Sequence, residues 1–207
     1  LSRYHEGQFI CYRAEDGLRS SGALDILEDK QGDLWIGTWS GLARFRDGQF
    51  AAYSAADGLK GRSAWTLSAE SGGDIWIGTS SGLNQLHDGR FRSFTMRDGL
   101  PNNVVRNVYV DRDGRLWIGT IGGGLCLFQE GKQIQYTTRE GLADNKVRTI
   151  RQDRHGSLWI GTWGGLSRLS DGCLTSYTKR DGLPHDFVEV LFEDREDCLW
   201  VGSSEGL

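Results

Sequence analysis

The stretch Leu116-Trp117-Ile118-Gly119-Thr120 decides the fold, because the chain writes it five times. It returns as Leu34–Thr38, Ile75–Thr79 and Leu158–Thr162, and as Leu199-Trp200-Val201-Gly202-Ser203. The tryptophans Trp35, Trp76, Trp117, Trp159 and Trp200 are spaced by 41, 41, 42 and 41 residues. A second marker, Gly-Leu, falls at 17–18, 58–59, 99–100, 141–142 and 182–183 with the same spacings. Two markers held in phase over five copies make an internal repeat, and a repeat of this length outranks any local reading.

Each copy reads as four short strands. In the third, Val104 to Val110 is β-branched-rich, Asp111-Arg112-Asp113-Gly114 is a tight turn, and Leu116 to Thr120 is strand two. Gly123-Gly124 turns into strand three, Leu125 to Phe128, and Gln129-Glu130-Gly131-Lys132 turns into strand four, Gln133 to Thr137. A longer loop, Thr138 to Asn145, leads to the next copy. Short strands punctuated by Gly turns mean an all-β chain, and no stretch sustains a 3.6-residue period. A four-stranded unit of roughly 40–45 residues is the mark of a β-propeller blade. One such sheet cannot bury both faces, so blades must stack. The recurrent tryptophan is expected to fill the gap between neighbouring blades. The glycine after it (Gly37, Gly78, Gly119, Gly161, Gly202) lets the neighbour come close.

The ends carry phase information. Leu1 to Phe9 aligns with Leu42 to Phe50, and Gly206-Leu207 with Gly41-Leu42. Residues 1–207 therefore form one propeller domain of five repeats, with strands three and four first and strands one and two last. The two halves either combine to close a five-bladed ring, or the chain is a five-blade piece of a larger, seven-bladed one. An open arc would expose apolar blade faces and favour self-association, so a homo-oligomer is one expected partner state.

Composition agrees. There are 30 Gly, 2 Pro and 8 Trp among 207 residues, which suits many tight turns between short strands. The net charge of −4, with both signs interspersed, offers no basic stripe for nucleic acid. No apolar run approaches the roughly 20 residues of a membrane helix. Residue 1 is Leu rather than Met, which reads as a trimmed chain whose parent carries the targeting signals. Cys11, Cys126, Cys173 and Cys198 form no CxxC pair, and their scatter argues against a zinc site or a disulfide scaffold.

The consensus DGL-x4-V-x2-I-x2-D-x2-G-x-LWIGT-x2-GL-x2-F-x2-G-x-F-x2-Y-T, nearly complete in 98–137 and 181–207, resembles the two-component regulator propeller repeat. The resemblance runs over the whole chain. It implies the periplasmic or extracellular sensor part of a bacterial hybrid histidine kinase or diguanylate cyclase, anchored to the inner membrane by other segments of the parent. Ligands in that family are various and are often oligosaccharides, and no cofactor is implied.

Positions that vary among copies are free for recognition. The loop before strand one gives one column, Ser20, Gly61, Asn102, Asp144 and His185, and a second, Ser21, Arg62, Asn103, Asn145 and Asp186. Strand one gives Leu24, Trp65, Arg106, Arg148 and Glu189, and the end of strand two gives Trp39, Ser80, Ile121 and Trp163. These columns should ring the axial opening. The expected ligand-binding set is Trp39, Trp163, Asn103, Asn145, Arg106, Arg148, His185, Asp186 and Glu189: aromatic faces with polar groups, suited to a small polar molecule such as a sugar. The competing reading is structural, since Asn and Asp before a strand cap turns and the tryptophans could pack on the next blade.

Other chemistry is thin. The turns Asp111–Gly114 and 194–197 faintly resemble a calcium-loop start but read better as turns. His5, His87, His155 and His185 fall in three repeat phases and do not converge on a metal. Cys126 takes the place of Ala43 and Ser167 and reads as a packing residue. Arg90, Arg92 and Arg97 read as a solvated blade edge. The expected role is a non-catalytic sensor; the alternatives are an interaction or dimerisation scaffold, and a propeller lyase using His185, Asp186 and Glu189.

Overall fold

The structure is a computed structural model and describes residues 1–18, 20, 22–129 and 132–205. Ser21, Glu130, Gly131, Gly206 and Leu207, which the repeat reading used, lie outside them. The described residues form antiparallel sheets, with helical backbone confined to single 3-10 turns. The chain divides into two compact units, Leu1–Phe94 and Thr95–Leu207.

Unit one begins with the pair β1 (Ser2–His5) and β2 (Gln8–Cys11). Two complete blades follow. The first is β3 (Ala23–Glu28), β4 (Leu34–Thr38), β5 (Gly41–Arg46) and β6 (Gln49–Tyr53). The second is β7 (Ala64–Ala69), β8 (Ile75–Thr79), β9 (Gly82–His87) and β10 (Arg90–Phe94). Unit two holds two more, β11 (Val105–Val110), β12 (Leu116–Thr120), β13 (Leu125–Gln129), β14 (Lys132–Tyr136), then β15 (Val147–Gln152), β16 (Leu158–Thr162), β17 (Leu166–Ser170), β18 (Cys173–Tyr177). It ends with the pair β19 (Val188–Glu193) and β20 (Leu199–Ser203). Each blade is a simple meander in chain order, and each terminal pair is a sheet of its own. The pairs supply the strands that the repeat phase demands, the outer two first and the inner two last. The protein is a β-propeller of five repeats.

The recurrent tryptophan does what its spacing implies, and one thing more. Trp35 packs with Leu59, Ala64, Leu67, Ile75 and Ile77 of the following blade. Trp117 packs with Leu142, Val147, Ile150, Leu158 and Ile160, and Trp159 lies against Val188 and Leu191. Burying a ring this size makes its truncation cost about 3–5 kcal/mol. Each indole N–H is also tethered six residues back, to the acidic residue that opens the strand one–two turn, an aspartate in four of the five copies. Trp35 donates to Asp29 at 2.7 Å, Trp117 to Asp111 at 2.8 Å, Trp159 to Asp153 at 2.8 Å and Trp200 to Asp194 at 2.7 Å. The other carboxylate oxygen of each aspartate accepts two backbone N–H groups of its own turn, as Asp111 does from Asp113 and Arg115. Both oxygens of every Asp in this column are therefore engaged in holding a turn against an indole. In the second copy Glu70 accepts from Trp76 at 3.2 Å.

Trp200 differs from its counterparts. Its indole is 51% exposed, beside Val190 and Phe192 that are also exposed. The same face of the other inner strands is covered.

The glycine after each tryptophan is a matter of clearance. A Cβ on Gly37 would stand 2.6 Å from the carbonyl oxygen of Ala64 in the next blade, and one on Gly119 would stand 2.5 Å from Val147 Cγ1. The Asp-Gly-Leu marker has its own mechanics. Asp57 accepts the backbone N–H of Ser54 at 2.8 Å and its hydroxyl at 3.1 Å, closing a capping box. Gly58 then takes φ +99°, which swings the buried Leu59 under the loop. Thr95–Leu100 and Thr178–Leu183 repeat the device. Cys126 is buried, as its packing role requires, and burial pushes its thiol up to about 12. All four cysteines are free.

Candidate functional site

The loop before strand one and the loop between strands two and three emerge at the same end of each blade, because the start of strand one pairs with the end of strand two. Ala23 faces Thr38, and Val147 faces Thr162. At this end every strand one carries a β-bulge, between Ala23 and Asp25, Ala64 and Thr66, Val105 and Asn107, Val147 and Thr149, and Val188 and Val190. The bulged residues are the expected column Leu24, Trp65, Arg106, Arg148 and Glu189. A bulge re-aims a side chain away from the regular pleat, so this column is set apart from the framework in backbone as well as in sequence. Among the described residues Arg148 and Glu189 form no ion pair.

The two loop columns perform local work. Asn102, Asp144 and His185 accept the N–H two residues on, from Val104 at 2.9 Å, Lys146 at 2.7 Å and Phe187 at 2.9 Å. Asn103, Asn145 and Asp186 reach seven residues back and accept the N–H groups of Met96, Thr138 and Lys179 at 2.8, 2.9 and 2.7 Å. One acceptor atom of each, an oxygen or in His185 the ring Nδ1, is thereby committed to closing the loop. The other donor or acceptor atoms of these side chains have no such assignment in the turn.

In unit one the loop end presents Trp39, 55% exposed. Its ring lies over Gly22, where a Cβ would stand 2.5 Å from Trp39 Cδ1. Gly22 has no left-handed backbone, so the indole itself is what requires glycine there. Ser63 donates to the Trp39 carbonyl at 3.0 Å. In unit two the equivalent Trp163 is 45% exposed. The Lys146 ammonium sits 4.5 Å from its ring centre, and Phe187 meets it edge-on at 5.3 Å and 84°. Phe187 joins His185 through its backbone N–H, and Ser204 Oγ lies 3.1 Å from the same His185 nitrogen. Phe187 thus links Trp163 to His185, its ring meeting the indole and its backbone N–H bonding the imidazole. Lys146, Phe187 and Ser204 are neighbours that the columns passed over. Phe187 and Lys146 share the repeat position of Gly22, so a variable column one place further on would have found them.

A pocket of about 340 Å³ opens beside Asn145, lined by Gln135, Thr137, Thr138, Arg139 and Glu140. The hydrogen bonds from Thr137 hold the Glu140 carboxyl below the usual carboxylate range. A larger pocket, about 610 Å³, lies at the other end of unit one among Arg3, Glu28, Gln31, Asp33 and Arg46. It is floored by the Asp33–Arg46 ion pair at 2.5 Å, which ties strand three to the strand one–two turn. Among the described residues no three His, Cys, Asp or Glu side chains are grouped as metal ligands. No described helix is long and apolar enough to cross a membrane.

A bladed fold with recurrent packing positions and a variable loop end defines a repeat β-propeller. The sequence model of the two component regulator propeller matches residues 17–40, 99–122, 141–164 and 182–205, so four of the five repeats are repeats of that family. The second copy, with Glu70 in place of the turn aspartate, is not among the matched segments. No curated protein sequence matches the chain. Among solved structures, the extracellular domain of a hybrid two component system from B. thetaiotaomicron superposes with TM-score 0.83 at 22% identity, over 96% of this chain and 28% of its own length. This chain therefore spans little more than a quarter of that domain. Virginiamycin B lyase from Staphylococcus aureus superposes with TM-score 0.70 at 16% identity, over 90% of this chain and 68% of its own. PorZ of Porphyromonas gingivalis does so with TM-score 0.66 at 17% identity, over 87% and 31%. At these identities the likeness is one of fold.

Proposed function

We propose that this chain is a non-catalytic, extracytoplasmic sensor segment of a bacterial signal-transduction receptor, binding a small polar ligand such as an oligosaccharide at the loop end of its blades. The observation that carries the reading is the division of labour among the tryptophans. The five framework indoles are tied to acids of their own turns, while Trp39 and Trp163, at a position where other copies have Ser80 and Ile121, stand about half exposed. Flat apolar rings flanked by hydroxyl, amide and imidazole groups suit the C–H faces and hydroxyls of a sugar. The four repeats matched by the two component regulator propeller support the receptor context and the periplasmic or extracellular location.

A thermal-shift and calorimetric screen of oligosaccharides tests this, with Trp39→Ala and Trp163→Ala as controls. Binding weakened by either substitution, with melting temperature unchanged, is the expected result. Folded protein that binds none of a broad glycan panel refutes it.

The lyase reading has a specific motive in the virginiamycin B lyase superposition, and the geometry weighs against it. His185 Nδ1 is taken up by the Phe187 N–H, and Asp186 Oδ1 by the Lys179 N–H. A streptogramin-opening assay with wild type and His185→Ala separates the two: His185-dependent activity favours the lyase.

A further inference from the structure

We infer that the loop end of unit two carries a subsite for a carboxylate-bearing sugar, built by Lys146, Trp163, Phe187 and His185; the inference rests on the sensor reading above. Its first element is a cation without a counter-ion. The Lys146 side chain is exposed, lies over the Trp163 ring at 4.5 Å, and forms no ion pair among the described residues. Nearby Asp144 lends Oδ1 to the turn, accepting the Lys146 backbone N–H at 2.7 Å, and its carboxylate lies outside ion-pair distance of the Lys146 ammonium. A cation resting on an indole is held by the ring quadrupole on one side and by water on the other. That holds the long stem in place while leaving the charge open to an anion.

The second element is the apolar floor. Trp163 is 45% exposed, and Phe187 braces it edge-on. A pyranose offers C–H faces to such a surface and oxygens at its rim. The third element is a donor of fixed tautomer. His185 Nδ1 accepts the Phe187 N–H at 2.9 Å, so the ring proton of the neutral imidazole resides on Nε2, which is a donor. Ammonium and indole, with the His185 ring bonded through Nδ1 to the backbone of the same Phe187 whose ring braces Trp163, fit a sugar that carries its charge on a carboxylate. The same repeat position in unit one has Gly22 where unit two has Lys146, so Trp39 is an uncharged platform and carries no such preference.

The test is calorimetry on the 207-residue chain at low salt, with trigalacturonate, its methyl ester and maltotriose as titrants, for wild type and Lys146→Met. Methionine keeps an apolar stem on the ring and removes the charge, and Lys146→Met should melt with wild type. Trigalacturonate is expected to bind at least about tenfold tighter than its ester, through one charged contact. Lys146→Met should bring the acid down to the level of the ester, and added salt should do part of the same. Equal binding of acid and ester, or acid binding untouched in Lys146→Met, overturns the subsite. So does tighter binding of a sulfated sugar than of the carboxylated one. If maltotriose binds and trigalacturonate does not, the subsite is wrong and the sensor reading stands; if a broad glycan panel fails as well, both fall.

Discussion

Replacing Asp111 by alanine removes the hub of one blade's turn. The Asp111 carboxylate accepts the N–H groups of Asp113 at 3.0 Å and Arg115 at 2.9 Å, the Arg115 guanidinium at 2.7 Å and the Trp117 indole at 2.8 Å. Trp117 is only 4% exposed, so its orphaned N–H stays largely shielded from bulk solvent. An unsatisfied buried donor costs about 1–3 kcal/mol, and losing hydrogen bonds to an ionised acceptor adds to it, for a total of roughly 3 kcal/mol. In a urea titration followed by tryptophan fluorescence, this lowers the midpoint by roughly 1 M for a slope near 3 kcal/mol/M. Asp194→Ala deletes the same residue type at the same repeat position. There Trp200 is 51% exposed and rehydrates, so the loss should be less than half as large. Equal losses at the two sites would refute the argument that a buried indole is what makes the aspartate matter. The pH dependence follows from the same contacts. Burial pulls the Asp111 carboxyl up, and the hydrogen bonds from Trp117 and Arg115 outweigh it, leaving the group below its ordinary value. Its contribution is therefore full above the unfolded value of about 3.9 and is lost as pH falls through the lower folded value. The difference between wild type and Asp111→Ala should hold from pH 7 to about 5 and shrink only below about 4.

Asp25 has the opposite sign. Burial pushes its carboxyl up despite the 2.7 Å hydrogen bond from the Leu67 N–H, so stability falls as pH rises from the unfolded value through the folded one. Asp25→Asn, which can still accept that N–H, should flatten this fall and leave stability at pH 7 unchanged or higher in thermal melts across pH 4–7. Gly37→Ala drives a methyl into the Ala64 carbonyl oxygen at 2.6 Å and should cost about 1–3 kcal/mol by urea titration, whereas Gly48→Ala, with open space around it, should show only backbone strain. A thiol reagent at pH 8 should label Cys11, Cys173 and Cys198 in native protein and reach Cys126 only on unfolding.

The repeat made the blades legible because two framework demands recur at fixed phase, an indole between sheets and a glycine beneath the next strand. What those markers could not reveal was partnership. The Asp29–Trp35 and Asp111–Trp117 tethers were both in plain view as an Asp six residues before each Trp, yet the aspartate read only as a turn former. The Asp-Gly-Leu motif read as a phase marker, while Asp57 closes a capping box and Gly58 reverses the chain over Leu59. Expected strand edges moved by one residue, Val104 to Val105 and Gln133 to Lys132, where bulge and hairpin geometry decide. At the loop end the variable columns located Trp39, Trp163 and His185. They gave no sign that Asn103, Asn145 and Asp186 reach back to amides seven residues earlier. Lys146 and Phe187 were missed because the columns stopped one repeat position short of them, and the cation–π and edge-on contacts themselves cannot be read from spacing.

Indole hydrogen exchange, followed in the proton–nitrogen spectrum of the native protein, puts the division of labour among the tryptophans to the most direct test. The side-chain N–H groups of Trp35 and Trp117, buried and bonded to acids, should exchange slowly, and those of Trp39 and Trp163 rapidly, slowing when a ligand occupies the loop end. Rapid exchange at Trp35 and Trp117, or protection at Trp39 and Trp163 equal to theirs in the free protein, would contradict the account.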